Sequence, residues 1–151
     1  MPLTFTPETL RAQLGRQVAV TAWMPVTQER IDRFAEATGD DQWIHVDAER
    51  AAASPFASTI AHGFLTLSLL SALARSAVAI EGAAMAINYG LNRVRFITPV
   101  PAGARIRARF VPTAVDDVVG GVHITWTATI DLEGREKPAC VAEWIVRYLH
   151  A

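Results

Sequence analysis

The stretch IAHGFLTLSLLSALARSAVAI, Ile60 to Ile80, decides how the rest of the chain must be arranged. Its apolar residues fall on almost every side at helical spacing, which predicts one long helix starting near Gly63. His62, Arg75 and four hydroxyl side chains make the segment costly as a bilayer span. A helix this apolar in a water-soluble setting needs a wrapping of other structure on most sides.

The wrapping is legible on the C-terminal side. Arg105, Arg107 and Arg109 alternate with Ile106, Ala108 and Phe110, and Thr125, Thr127 and Thr129 alternate with Ile124, Trp126, Ala128 and Ile130. A period of two with one apolar face marks long half-buried strands. PVPAG at Pro99–Gly103, DDVVGG at Asp116–Gly121 and EGRE at Glu133–Glu136 carry turn chemistry and predict hairpins between the strands, hence a largely antiparallel sheet. Upstream, QVAVTAW (Gln17–Trp23) offers a further strand. Thr6-Pro7-Glu8 reads as the cap and first turn of a short helix with Gly15 as a stop, and Thr27 opens a second helix through Ile31, Phe34, Ala35 and Thr38 that Gly39 ends in a left-handed conformation. Asp47 is placed to cap a helical turn through AERAAA. A meander of four long strands curled around one buried helix is an α+β architecture, and 151 residues with 51% hydrophobic content suit one domain over residues 1–151.

Charge narrows the function. The formal net charge is −1, with 14 basic and 15 acidic residues interspersed, so the basic stripe that nucleic acid or an anionic membrane requires is missing. Cys140 is the only cysteine, which excludes an intrachain disulfide and a cysteine metal cluster and fits a reducing compartment, the cytoplasm by default. The N-terminus lacks the basic start and apolar run of a secretory signal.

The polar exception is ATGDDQWIHVD, Ala37–Asp47, with three aspartates and one of only four histidines in eleven residues. Asp40 and His45 follow the helix stop and are near enough in sequence to share a pocket, where a carboxylate beside an imidazole is a general acid/base pair. The alternative is that Asp40 caps the chain leaving the helix and His45 hydrogen-bonds inside a packed loop. His62-Gly63 stands where the long helix begins, so free N–H groups and the positive end of the helix dipole could hold an oxygen that gains negative charge. Alternatively, Gly63 is small because the helix meets the sheet there. A metal site of Asp40, His45 and Asp47 is disfavoured, since neither a helical histidine pair nor a cysteine supports it. NYGLN has one glycine, not a phosphate loop, and no nucleophile elbow is present. Arg93, Arg95, Arg105, Arg107 and Arg109 are either a rim for a phosphorylated ligand or the solvated face of strands.

FAEATGDDQWIHVDAERA followed by SPFASTIAHGFLTLSLL resembles the MaoC-like dehydratases, the (R)-specific enoyl-CoA hydratases, and especially their nodulation protein N-like branch. The family motif Gly-Asp-x-Asn-Pro-x-His is matched by Gly39, Asp40 and His45, with Gln42 and Trp43 at the Asn-Pro positions. Ala61-His62-Gly63 matches the helix entrance, and NYGLNRVRFITPVPAG the strand and turn after the helix. The resemblance implies a hotdog fold, an antiparallel sheet around one long helix, commonly a homodimer. It implies reversible hydration of trans-2-enoyl-CoA to (R)-3-hydroxyacyl-CoA, with Asp40, His45 and the Gly63 N–H catalytic. His62, Ser68, Ser71, Asn88 and Arg93 are then assigned to substrate binding, with Ser68 or Ser71 able to reach Asp40 or simply to fill packing gaps. No metal or redox cofactor is called for, since coenzyme A, or an acyl carrier, belongs to the substrate. The competing readings are a hotdog thioesterase, which would release free thiol, and a non-catalytic acyl-thioester-binding subunit, which would need neither Asp40 nor His45.

Overall fold

The computed structural model describes residues 1–151. In chain order it contains β1 (Leu3–Phe5), α1 (Pro7–Arg11), β2 (Ala19–Val20), β3 (Met24–Pro25), α2 (Gln28–Thr38), α3 (Trp43–Val46) and α4 (Ala48–Ala52). Then follow α5 (Gly63–Ser68), α6 (Leu70–Ala77), β4 (Val78–Ile80), β5 (Ala83–Phe96), β6 (Arg105–Val118), β7 (Gly121–Leu132) and β8 (Cys140–His150).

The sheet runs β2-β6-β7-β8-β5, with β3 pairing the same edge of β6 as β2, and every one of these pairings is antiparallel. Its concave face carries the apolar half of the alternation: Ile106, Ala108 and Phe110 on β6, Ile124, Trp126 and Ile130 on β7, and Ala142, Trp144 and Val146 on β8 are all buried. Against it lie Leu65, Leu70, Leu73 and Ala77 of the central helix, in the same core cluster. This is the hotdog fold, an antiparallel sheet wrapped around a helix.

Five expectations are corrected. The helix is not continuous: Leu69 interrupts it between α5 and α6, with helical dihedrals of φ −68° and ψ −14° that tighten the turn rather than end it. Nor is it covered on most sides. Phe64, Ser68, Ser71 and Arg75, spaced four, three and four apart, form one exposed stripe, and Phe64 is 68% exposed. PVPAG does not close a hairpin, because β5 pairs with β8 and not with β6. The connection crosses the end of the sheet and is fixed there by Thr59–Ala61, with Ala61 N–H donating to Val100 O at 2.8 Å and Ala102 N–H to Thr59 O at 2.9 Å. Of DDVVGG, only Val119 and Gly120 turn, since both aspartates and Val118 continue β6. Gly121 then starts β7 where a Cβ would stand 1.9 Å from the Tyr148 carbonyl oxygen, so only glycine admits β8 at that distance. QVAVTAW supplies only the two-residue strand β2, with β3 just past its end. The parallel pairing of β1 with β4 is an addition that local pattern does not reveal.

Candidate active site

Local chemistry delivers Asp40 and His45 to the same place. The Thr27 side chain accepts from the Arg30 N–H at 3.2 Å and starts α2, while Gly39, at φ 77°, ends it and turns the chain so that Asp40 begins the loop. One helical turn, α3, carries His45. Asp47 then caps α4, accepting from the Arg50 N–H at 2.9 Å, and Arg50 lies over the Trp43 ring at 4.3 Å. Trp43, at a family proline position, thus anchors the two short helices to each other. Gln28 of α2 donates to His45 O at 2.7 Å and accepts from the Thr59 hydroxyl, and Ile60 N–H donates to Ile44 O at 3.0 Å. The histidine-bearing turn is laced to the segment that leads into α5.

His45 is buried, 6% exposed, and its Nδ1 lies 2.7 Å from Ile60 O. A carbonyl only accepts, so Nδ1 carries the proton and the Nε2 lone pair of the neutral ring is free to take one. Asp40 is exposed, and its carboxylate makes no hydrogen bond within the chain. Asp40, His45 and His62 each offer a side-chain atom within 4.8 Å of the others. Two groups that share one hydrogen-bonded water stand up to about 5.5 Å apart, the range in which these side chains fall. A metal is a poorer fit: the His45 and His62 rings stack at 3.8 Å and 24°, so their in-plane lone pairs run side by side instead of meeting at a point.

His45 opens on a pocket of about 230 Å³ that Gly63, Thr66, Phe96, Ile97 and Thr98 also line. Gly63 opens α5, and the His62 side chain does not cap that turn. Its small size has a steric reason as well, since a Cβ would lie 3.1 Å from the Phe96 ring. The steric reading of Gly63 is thus met by the Phe96 ring.

The other assigned residues divide into three groups. His62 is 2% exposed and lies behind His45, not on the pocket wall. Ser68, Ser71 and Asn88 meet in a separate groove of about 220 Å³ between the helix and β5, beside Leu67, Leu91 and Trp144. Asn88 Oδ1 accepts from the Trp144 indole at 3.2 Å, and the Ser68 hydroxyl donates to Phe64 O at 2.7 Å. Neither serine hydrogen-bonds Asp40. Arg93 is exposed and unpaired; with Arg95 and Ile97 it borders an open groove that meets the His45 pocket at Ile97. By contrast Arg105 pairs with Glu133, and Arg107 and Arg109 share Asp131. Sequence reasoning missed Thr66, Phe96 and Gln28. Thr66 was findable, because it lies one helical turn from Gly63; the other two depend on tertiary contacts.

A hotdog fold in which an imidazole and an uncapped helix start share one pocket, with a carboxylate close to the imidazole, is the arrangement of a hydratase/dehydratase class. A profile of the MaoC like domain matches residues 10–132, and the chain belongs to the MaoC-like dehydratase family. It is 53% identical over 141 residues to 3-hydroxyacyl-thioester dehydratase Z of Mycobacterium tuberculosis, covering 93% of each chain. Nodulation protein N of Rhizobium leguminosarum bv. viciae is 46% identical over 137 residues, covering 89% of this chain and 85% of that protein. The solved (R)-hydratase of A. caviae superposes with a TM-score of 0.71 at 25% identity, over 88% of this chain and 94% of that one. The protein is accordingly a hydro-lyase of the hydratase/dehydratase type.

Proposed function

We propose that this protein interconverts trans-2-enoyl and (R)-3-hydroxyacyl thioesters of coenzyme A, with Asp40 and His45 as the acid/base pair. One observation carries the reading: Asp40 and His45 each offer a side-chain atom within 4.8 Å of the other, and His45 shares a pocket with Gly63, the first residue of α5. In hydration, the pair removes a proton from the bridging water and the oxygen adds to C3. The electron pair of the double bond moves to the thioester oxygen, which is held by the Gly63 N–H. Return of the electrons draws a proton to C2 from the same pair, so one water is consumed and both catalytic groups end in their starting states. Dehydration is the reverse. A single oxyanion donor of this kind contributes about 10²–10³ in rate. Because the chemistry is proton transfer and charge stabilisation, neither a metal nor a redox cofactor is required by it.

In this reading the Ser68, Ser71 and Asn88 groove takes part of the acyl thioester, and Arg93 attracts the phosphates of the carrier. One domain, residues 1–151, carries the site. A homodimer through β5 follows from an unpaired edge that exposes Met85, Ile87, Tyr89 and Leu91, a combination that monomers avoid. No helix is long and apolar enough to cross a membrane, and with Cys140 buried and unpaired we assign the protein to the cytoplasm.

The test follows loss of conjugated enoyl-thioester absorbance, with chiral analysis of the product. Asp40→Asn and His45→Ala are each expected to lower kcat by about 10²–10⁴. Thiol release without hydration would replace the reading with hydrolysis; inertness of wild type across short and long acyl chains would replace it with binding.

A further inference from the structure

We propose that His62 is the positioning residue that holds Asp40 and His45 in register, binding no substrate itself. The proposal rests on the hydratase reading for its kinetic test and on geometry for everything else. His62 Nε2 lies 2.8 Å from the backbone carbonyl oxygen of Asp40. A carbonyl only accepts, so Nε2–H donates, and this is the sole hydrogen bond to that oxygen. The same ring stacks on His45 at 3.8 Å and is backed by Phe34 at 4.8 Å. One side chain therefore touches both halves of the acid/base pair and directly precedes Gly63, the third member of the site.

Alternatives for such a residue are packing and substrate contact. Substrate contact is closed off by burial, with 2% of the residue exposed. Packing alone is a poor account, because Nδ1 is buried with no partner. Burying an unpaired polar atom is destabilising, a cost that a phenylalanine of similar shape would avoid. What the imidazole provides that an apolar ring does not is the bond to Asp40. That aspartate needs it: it is exposed, it follows a left-handed glycine, its side chain is unpartnered, and its own N–H reaches only the Thr38 hydroxyl at 3.4 Å. The His62 bond is the one contact from outside the loop that fixes the Asp40 backbone relative to His45. A displacement of 1 Å in a reacting geometry costs up to about 10² in rate.

Two substitutions separate the roles. His62→Phe keeps the ring and loses the donor; His62→Gln carries an amide N–H at about the reach of Nε2 and loses the ring. The expected result is a kcat lowered about 10- to 100-fold in His62→Phe with KM within about twofold, and kcat within about threefold of wild type in His62→Gln. A His62→Phe enzyme with wild-type kcat, a rise in KM alone, or a His62→Gln enzyme below a tenth of wild-type kcat overturns the proposal, and the glutamine result decides it even where His62→Phe does not fold. A second readout needs no turnover: the NMR signals of the Asp41 amide, which adjoins the Asp40 carbonyl, and of the His45 ring are expected to move in His62→Phe and for Asp41 to return in His62→Gln. Unmoved signals sink the proposal whatever the substrate. If wild type hydrates no enoyl thioester, the hydratase reading falls and the NMR comparison still rules on His62.

Discussion

Strands β5 and β6 are each 14 residues long and belong to the same sheet, yet the protein uses them in opposite ways. β6 lies inside the sheet, between β2 and β3 on one side and β7 on the other, and its residues alternate between buried and partly exposed from Arg105 to Pro112. Its arginines are neutralised by Glu133 and Asp131 on the neighbouring segment. β5 occupies the edge. It exposes residues on both faces, leaves Arg93 and Arg95 without ion pairs, and departs from regular register at three places. β6 has its partners within the chain, whereas β5 leaves an apolar half and an arginine half without them, the halves to which the proposed function assigns a second copy and the substrate.

The difference can be broken at its strong end. Phe110 of β6 is 1% exposed and meets Trp126 edge-on at 5.9 Å, in the middle of the core. Phe110→Ala is expected to destabilise the fold by about 3–5 kcal/mol, the transfer loss plus the cavity, read from denaturant unfolding. A cost near 1 kcal/mol would mean that the sheet does not close on the helix as described. On β5, Ile87→Lys alters a side chain already 43% exposed. It is expected to leave the folded monomer intact within about 0.5 kcal/mol while shifting the assembly from dimer to monomer in sedimentation at micromolar concentration. A wild type that sediments as a monomer removes the dimer and with it this reading of β5.

How far the sequence discloses each strand follows from the same contrast. The alternation in β6 and β7 is visible because one face is buried by the chain's own helix. The caps at Thr6, Thr27 and Asp47 and the left-handed stop at Gly39 are local and equally plain. So is the Asp40–His45 convergence, since both ends of that loop are set within a few residues. The pairing of β5 with β8 joins segments about fifty residues apart, and turn chemistry pointed to the adjacent strand instead. The break at Leu69 has no proline or glycine to announce it. The place of His62 at the helix entrance, which suggests a substrate contact, is local information, whereas its burial against His45 and Phe34 is not. Gly63 shows the limit most clearly: the approach of Phe96 is a tertiary contact, and sequence alone offers no means of choosing between a steric and an oxyanion-holding reason for the glycine.

The smallest effect tests the arginines. Burial alone would raise the Asp131 carboxyl, but hydrogen bonds from Arg109 and Arg107 outweigh it and hold the group below its ordinary range. The folded protein therefore binds this proton less tightly than the unfolded chain does. The resulting stabilisation is complete above the ordinary aspartate range and is lost as pH falls through the lower folded value. With both arginines more than a third exposed, the contribution is at most about 1 kcal/mol at neutral pH and is weakened by salt. Asp131→Asn is expected to cost that amount at pH 7 and to converge with wild type as pH falls through the lowered folded value, in urea titrations at low ionic strength. Arg93→Ala is the control on β5, where no ion pair exists to lose, so its stability is expected to follow wild type at every pH. A gap between the two strands that persists at low pH would show that Asp131 supports β6 by packing and not by charge.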